Sequence, residues 1–336
     1  MNQQVFSALC GFDNAAKKLV SIYCNASAPG QELKNWFSSV DFEVLPQDVT
    51  CMAAMAAART DFAAAPEALV PRLRGFVKYV HTLNAGMLSG LYLLGAALNK
   101  AEIPVILLNE TALYLTYPDT LRRPLWQMRI GVPEEDYVHA LDIARENDFQ
   151  VEQFQYSASA RQNATRQITI TPVAKDAALW QDAAELKKGN AVFLCPNTSD
   201  LLISICQDAF RALTKNAPRA AIVRWIMDMH VLLEHLSPQQ WLCAAQKARQ
   251  EKVCAHMHLL FLLYAEVTGS FSMDMSPFAC GRDADTLLKL LKSFSTCPEK
   301  GQRIRRTYLL YRIRRPDSIS GTVRLILRHT LRKIAQ

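Results

Sequence analysis

The sequence lacks the short motifs that mark several large enzyme classes. Its 336 residues contain no GxGxxG dinucleotide fingerprint, no phosphate-binding P-loop and no GxSxG nucleophile turn. Glycine and proline are sparse, at 12 and 15 residues, and half of the chain is apolar. These features exclude a collagenous, low-complexity or disordered chain, and they predict a globular protein with a large apolar core.

Cysteine and histidine patterns typical of metal sites are also missing. The nine cysteines are odd in number and include no CxxC pair, and the seven histidines lack the i, i+4 spacing of helical zinc ligands. Such cysteines are typical of small buried residues in a reducing compartment. The N-terminus has no basic region followed by an apolar core, and the longest apolar run, residues 85–98, is shorter than the ~20 residues that span a bilayer. We therefore expect a cytoplasmic protein without a metal site.

Positive charge is concentrated at the end of the chain. Residues 300–336 include eleven Lys or Arg and one acid, a local net charge of +10, whereas the preceding residues carry −3. Residues 321–334 place apolar side chains on one helical stripe, which predicts a basic amphipathic helix. Such a helix docks on its own domain, or it binds an anionic membrane surface or an acidic protein partner; nucleic acid is the least expected partner. The candidate binding residues of this tail are Arg305, Arg306, Arg312, Arg314, Arg315, Arg324, Arg328 and Arg332.

The order of predicted elements divides the chain into four parts. Residues 1–100 are predicted to be helical, with a long helix over 67–100 that Asn84-Ala85-Gly86 is expected to interrupt. Residues 101–178 form an α/β core, residues 179–299 a helical domain, and residues 300–336 the basic tail. The strands of the core are predicted at 103–108, 126–132, 149–156 and 166–173. The expected fold class is therefore α/β, with a small mixed sheet flanked by N-terminal and C-terminal helical regions and a predominantly helical chain overall.

Two regions carry a recognisable pattern. Tyr117-Pro118, Arg123-Pro124 and Val132-Pro133 follow one another at fixed intervals, and Arg224-Trp225 precedes Asp228 on a downstream helix. Together they resemble the bacterial uncharacterised nucleotidyltransferase family of the polymerase-β-like superfamily, over roughly residues 30–270. The resemblance implies a nucleotidyltransferase-like α/β core with a helical domain. It also implies a place beside enzymes that make surface polysaccharides or modified peptides.

Nucleotidyl transfer on that fold requires carboxylates. Two divalent metals lie between an acidic pair and the nucleotide phosphates, where they neutralise charge and activate the attacking oxygen. A D-x-D pair points both carboxylates to one face of a strand, because alternate residues share a face. A third acid on a neighbouring strand completes the oxygen ligands that Mg²⁺ requires.

Other residue types occupy those positions in this sequence. Counted without gaps from Arg123-Pro124, the acidic pair falls on Gln127 and Arg129, and the third acid is expected at Thr169 or Thr171. A guanidinium at a metal position repels the cation that would bind there. With Asn109 and Glu110 at the phosphate corner, the candidate residues of a degenerate pocket are Asn109, Glu110, Arg123, Gln127, Arg129, Thr169 and Thr171. Arg224 and Asp228 are candidates for a cleft beside the helical domain, or they form an intrahelical ion pair.

The degenerate pocket allows three functional interpretations. In the first, catalysis is lost, no cofactor is expected, and the protein binds a protein partner or an anionic ligand. In the second, Arg129 supplies a fixed positive charge that binds a phosphate or another anion without metal. In the third, Glu110, Asp119, Glu134 or Asp136 rebuilds a metal site, and the protein transfers a nucleotidyl group with NTP and Mg²⁺. The corner would instead be closed if Arg129 pairs with Glu110.

Overall fold

The computed structural model describes most of the chain up to residue 278. The described residues are 14–24, 29–117, 124–125, 127–154, 157–163, 167–214, 219–269, 271 and 273–278. Arg123 and Asp119 lie outside these ranges, as does the basic tail over residues 300–336 with its eight candidate arginines. The predictions for those residues stay predictions.

Helices lead the chain into the sheet. They are α1 (Asn14–Cys24), α2 (Pro29–Ser39), α3 (Gln47–Ala58) and α4 (Val70–Lys100). The expected interruption of the long helix is wrong, because α4 runs through Asn84 without a break. Asn84 is buried, and its Oδ1 accepts a hydrogen bond from the Leu125 backbone N–H at 2.8 Å. The polar side chain thus ties α4 to the segment that enters the sheet.

The centre of the molecule is a mixed sheet. Its strands are β1 (Ile106–Leu107), β2 (Met128–Pro133), β3 (Gln150–Phe154), β4 (Ser157–Arg161), β5 (Gln167–Val173), β6 (Ala184–Lys188) and β7 (Ala191–Cys195). They lie in the order β3-β4-β5-β2-β1-β7-β6 across the sheet. Strand β2 runs parallel to β5 and antiparallel to β1. Helices α5 (Glu110–Thr116), α6 (Tyr137–Glu146) and the short α7 (Ala178–Gln181) connect them.

The α/β class is confirmed, but the prediction of four strands is too low. The polar strand β4 was not predicted, and β6 and β7 lie after residue 178, in the part expected to be helical. Both late strands pair with each other, and β7 continues the sheet beside β1. The sheet therefore extends to Cys195.

The two faces of the β3–β4–β5–β2 part of the sheet differ in polarity. One face carries buried apolar side chains such as Ala158, Ile168 and Ile130, and α6 packs against these strands. Alternate residues on the opposite face are polar and half-buried or exposed, among them Ser159 and Thr169. The described elements therefore leave this second face of the strands available to a ligand or to another element.

Four further helices pack together after β7. They are α8 (Thr198–Thr214), α9 (Arg219–His235), α10 (Pro238–Gln250) and α11 (Cys254–Thr268). Helix α8 contacts the other three and also α5, which places α8 beside the sheet. Trp241 is buried against Phe261 and Phe278, and its indole N–H donates to the Asp274 carbonyl at 2.8 Å, so it has a structural role. Within the described ranges, no helix has the length and apolar character needed to cross a membrane.

Candidate functional site

An ion pair joins the start of β2 to helix α8. Arg129 Nη1 donates to Asp208 Oδ2 at 2.6 Å. The Asp208 side chain is 17% exposed and that of Arg129 is 36% exposed, so the pair is half-buried at the edge of the sheet's polar face. The alternative of a closed corner named Glu110 as the partner of Arg129, and the structure gives the guanidinium a carboxylate partner on α8, Asp208.

Gln127 and Thr169 complete the strand side of this corner. Gln127 Oε1 accepts hydrogen bonds from Arg129 Nε at 3.2 Å and from Nη2 at 3.1 Å, and Gln127 Nε2 donates to Thr169 Oγ1. The parallel register pairs Arg129 with Thr169 and Gly131 with Thr171. Of the two threonines that the sequence offered, Thr169 is therefore the one that joins Gln127 and Arg129.

Asn109 approaches the same carboxylate from the end of β1. Its Nδ2 donates to Asp208 Oδ2, and Ser204 Oγ of α8 donates to Asn109 Oδ1. Asn109 has φ +49° and ψ −122°, a conformation that residues other than glycine rarely adopt, at a typical cost of about 1–3 kcal/mol. The two contacts to α8 hold the side chain while the backbone makes this turn.

The corner is electrically balanced and well supplied with hydrogen bonds. It combines one guanidinium, one carboxylate, two carboxamides and the hydroxyls of Ser204 and Thr169. The Arg129 backbone N–H also donates to Thr111 Oγ1 at 2.7 Å, which ties β2 to α5. Such an arrangement can hold the sheet against α8, and through the exposed part of Arg129 it can attract an anion.

Of the acids proposed to rebuild a metal site, Glu134 and Asp136 are not gathered at this corner. Glu134 and Asp136 follow the far end of β2, roughly 20 Å from Gln127 at about 3.3 Å per strand residue. Glu110 is half-buried at the start of α5 and has interactions of its own. Across the part of the chain that the structure describes, no three His, Cys, Asp or Glu side chains are grouped to hold a metal ion.

The cysteines nearest to these elements are protonated. Burial raises the pKa of Cys206 on α8, and it also raises the pKa of Cys195, whose Sγ lies 3.2 Å from Thr116 Oγ1. Because the thiolate is the reactive form, these two thiols are poor nucleophiles.

Arg224 and Asp228 lie one turn apart on α9. Asp228 is buried, with 2% of its surface exposed, and both residues have interaction partners. The α8 side chains that reach Asn109 and Arg129 are Ser204 and Asp208. The structure thus brings Asn109, Gln127, Arg129 and Thr169 together, and it builds the helical side of the corner from α8.

Ser204 and Asp208 were missed from the sequence. They are spaced i, i+4, so they share one face of an otherwise apolar stretch of α8. That spacing was visible in the sequence, and a polar stripe on a largely apolar helix is the signal that pointed to a polar contact.

Comparison with known proteins finds a matching family model and similar solved structures. A family model described as "Uncharacterised nucleotidyltransferase" matches residues 47–269. No curated protein matches the chain. The chain is similar to the solution structure of the antibiotic-resistance factor ANT(2'')-Ia, with 14% identity and a TM-score of 0.37, over 51% of this chain and 96% of that one.

Proposed function

Because the chain belongs to the uncharacterised nucleotidyltransferase family, we propose that it is a relative in which an internal ion pair replaces the catalytic metal site. The protein acts by binding and does not transfer nucleotidyl groups. The observation that carries this proposal is the contact of Arg129 with Asp208 at 2.6 Å.

The contact supports the proposal through its position and its charge. Arg129 and Gln127 stand where the family resemblance puts the acidic pair, and Thr169 stands beside them on β5. A guanidinium repels a divalent cation, and its own counterion, Asp208, is already engaged. Metal binding would therefore have to displace a formed ion pair and then overcome a fixed positive charge.

We place this binding role in the bacterial cytoplasm, as an accessory to the biosynthesis of surface polysaccharides or modified peptides. The biosynthetic context rests on the family resemblance alone. The compartment is supported by the cysteines, since the six in the described ranges are all free, and five of them are buried. Free cysteines are typical of a reducing environment.

A second candidate function is metal-free binding of a phosphate or another anion. The observation that favours it is the 36% exposure of the Arg129 side chain, which leaves part of the guanidinium accessible beside its counterion. An anion would compete with Asp208 for the same donors, because carboxylate and phosphate oxygens fit the guanidinium in the same way.

A thermal-shift panel of the four NTPs, each with and without Mg²⁺, separates these functions. Ligand that binds only the native state raises the melting temperature by mass action. The proposal predicts no shift that requires Mg²⁺. A Mg²⁺-dependent shift that Asp208→Asn abolishes would contradict it and restore a metal-dependent transferase. A shift without Mg²⁺ that Arg129→Gln abolishes would establish the anion site instead.

A further inference from the structure

The polar face of the sheet continues well beyond the Arg129 corner. The antiparallel register pairs Gln150 with Arg161 and Glu152 with Ser159, and β4 pairs Ser159 with Thr169 of β5. Paired residues point to the same face of a sheet. One face of four adjacent strands, from β3 at the edge to β2 in the middle, therefore carries this polar set.

A pocket of about 520 Å³ lies on this face. That volume falls within the about 300–1,000 Å³ typical of small-molecule sites. Its polar lining includes Gln127, Gln150, Glu152, Ser159, Gln167 and Thr169. Carboxamides and hydroxyls dominate this lining, and both groups can donate as well as accept hydrogen bonds.

Neighbouring side chains already orient part of the lining. Gln167 Nε2 donates to Ser159 Oγ at 3.2 Å, and Gln127 Nε2 donates to Thr169 Oγ1. A hydroxyl that accepts one hydrogen bond retains its own proton as a donor. Fixed donors and acceptors of this kind recognise a ligand with several hydroxyl groups, since each hydroxyl needs a partner of both kinds.

The charges of the lining argue against a polyanion. Among the residues that the structure describes, the pocket is lined by one guanidinium, Arg161, and one carboxylate, Glu152, so these two charges cancel. A nucleoside triphosphate needs excess positive charge or a metal ion around its phosphates. The balanced lining instead fits a neutral ligand.

An apolar side chain completes the pocket. Phe154, at the end of β3, is 54% exposed and lies among the polar lining residues. An exposed ring offers flat apolar surface to the C–H face of a sugar, while the surrounding amides and hydroxyls bind the hydroxyl groups at its rim.

We infer that this pocket binds a neutral, multiply hydroxylated small molecule with the dimensions of a mono- or disaccharide. The inference goes beyond the proposed function, because the lining residues of β3 and β4 lie outside the Arg129 corner, although Gln127 and Thr169 belong to both.

The test is saturation-transfer NMR on the full chain, with maltose, cellobiose and N,N′-diacetylchitobiose as neutral probes and ATP as the charged probe. We expect saturation transfer to at least one disaccharide. Gln150→Ala should weaken that binding about tenfold, which corresponds to the loss of one or two hydrogen bonds.

A matched control lies on the same strand. Gln153 is also an exposed glutamine of β3, but its position in the register puts it on the opposite face of the sheet. Gln153→Ala should leave the affinity unchanged, and circular dichroism should show both variants folded. The inference is overturned if no disaccharide receives saturation, if only ATP does, or if Gln153→Ala weakens binding as much as Gln150→Ala.

Discussion

Arg129 on β2 and Asp208 on α8 lie 79 positions apart in sequence and meet at 2.6 Å. The same carboxylate accepts a hydrogen bond from Asn109 at the end of β1. One acidic side chain from the helical part of the molecule is thus the common partner of two strand ends.

The ion pair between Arg129 and Asp208 should stabilise the folded protein, and a double-mutant cycle should measure the interaction energy of the two side chains. Asp208→Asn leaves Arg129 without its counterion, so we expect a loss of about 1–2 kcal/mol in the free energy of unfolding. Arg129→Met/Asp208→Asn should cost less than the sum of the single changes, with a coupling of about 1 kcal/mol. Urea unfolding of the four proteins of this cycle measures the coupling. Strict additivity would show that the pair does not connect β2 to α8.

Introducing carboxylates at the corner should create a metal site. In the triple variant Gln127→Asp/Arg129→Asp/Thr169→Asp, the β2–β5 register gathers three carboxylates on one face, beside Asp208. We expect this variant to bind Mn²⁺, measured as the loss of the free-ion signal in electron paramagnetic resonance, because hard divalent cations prefer such oxygen ligands.

A register control accompanies the triple variant. Thr171 lies opposite Gly131, one step along the face from the position of Thr169. A variant that carries Thr171→Asp in place of Thr169→Asp should bind Mn²⁺ more weakly. Equal binding by the two variants would mean that this register does not define the corner.

Gly131 leaves no room for a side chain in the middle of β2. A Cβ at this position would lie 2.6 Å from Val173 Cγ2 and 2.7 Å from Ile106 Cγ2, closer than carbon atoms approach. Gly131→Ala should therefore destabilise the protein by about 1–3 kcal/mol in urea unfolding. Gly75→Ala is the control, since nothing lies within 4 Å of a Cβ there, and in the α4 helix it should stabilise by up to about 1 kcal/mol. The same loss at both sites would point to a general effect of alanine.

Acid should destabilise the protein through His258. Burial lowers the pKa of this side chain, and its buried Nδ1 has no hydrogen-bond partner among the described residues. As the pH falls below the ordinary histidine value of about 6.5, the unfolded chain takes up the proton before the folded chain does, so the stability present above that pH is lost. His258→Phe should reduce the fall in melting temperature between pH 7.5 and 5.5. The exposed His81 provides the control, and an equal effect of His81→Phe would assign the pH dependence to something other than burial.

Much of the helical part of the fold could be predicted from local sequence patterns. Helices α8 to α11 lie in the part of the chain predicted to be helical, because caps such as the Ser237–Gln240 capping box and apolar periodicity act locally. The break expected at Asn84 was wrong for the opposite reason. Its side chain finds a buried partner in Leu125, and only the tertiary fold supplies that contact.

The missed strands and the missed half of the site depend on contacts between distant residues. β4 reads Ser-Ala-Ser-Ala-Arg and β6 reads Ala-Glu-Leu-Lys-Lys, compositions that favour a strand only when a neighbour pairs with them. The strand side of the corner could be predicted because the family resemblance places its acidic positions at Gln127, Arg129 and either Thr169 or Thr171. The i, i+4 spacing of Ser204 and Asp208 indicates a polar contact for α8, but it does not identify β2 as the partner, because no local pattern says where a helix face docks.

The most direct test of the central claim is a Mn²⁺ titration of the unmodified protein, followed by electron paramagnetic resonance, with the triple carboxylate variant as the positive control. If Arg129 and Asp208 close the corner to metal, the free-ion signal should rise with added Mn²⁺ as it does in buffer. Stoichiometric binding of Mn²⁺ by the unmodified protein, lost on Asp208→Asn, would contradict this account. Asp208 would then be a metal ligand, and the corner would be a catalytic site.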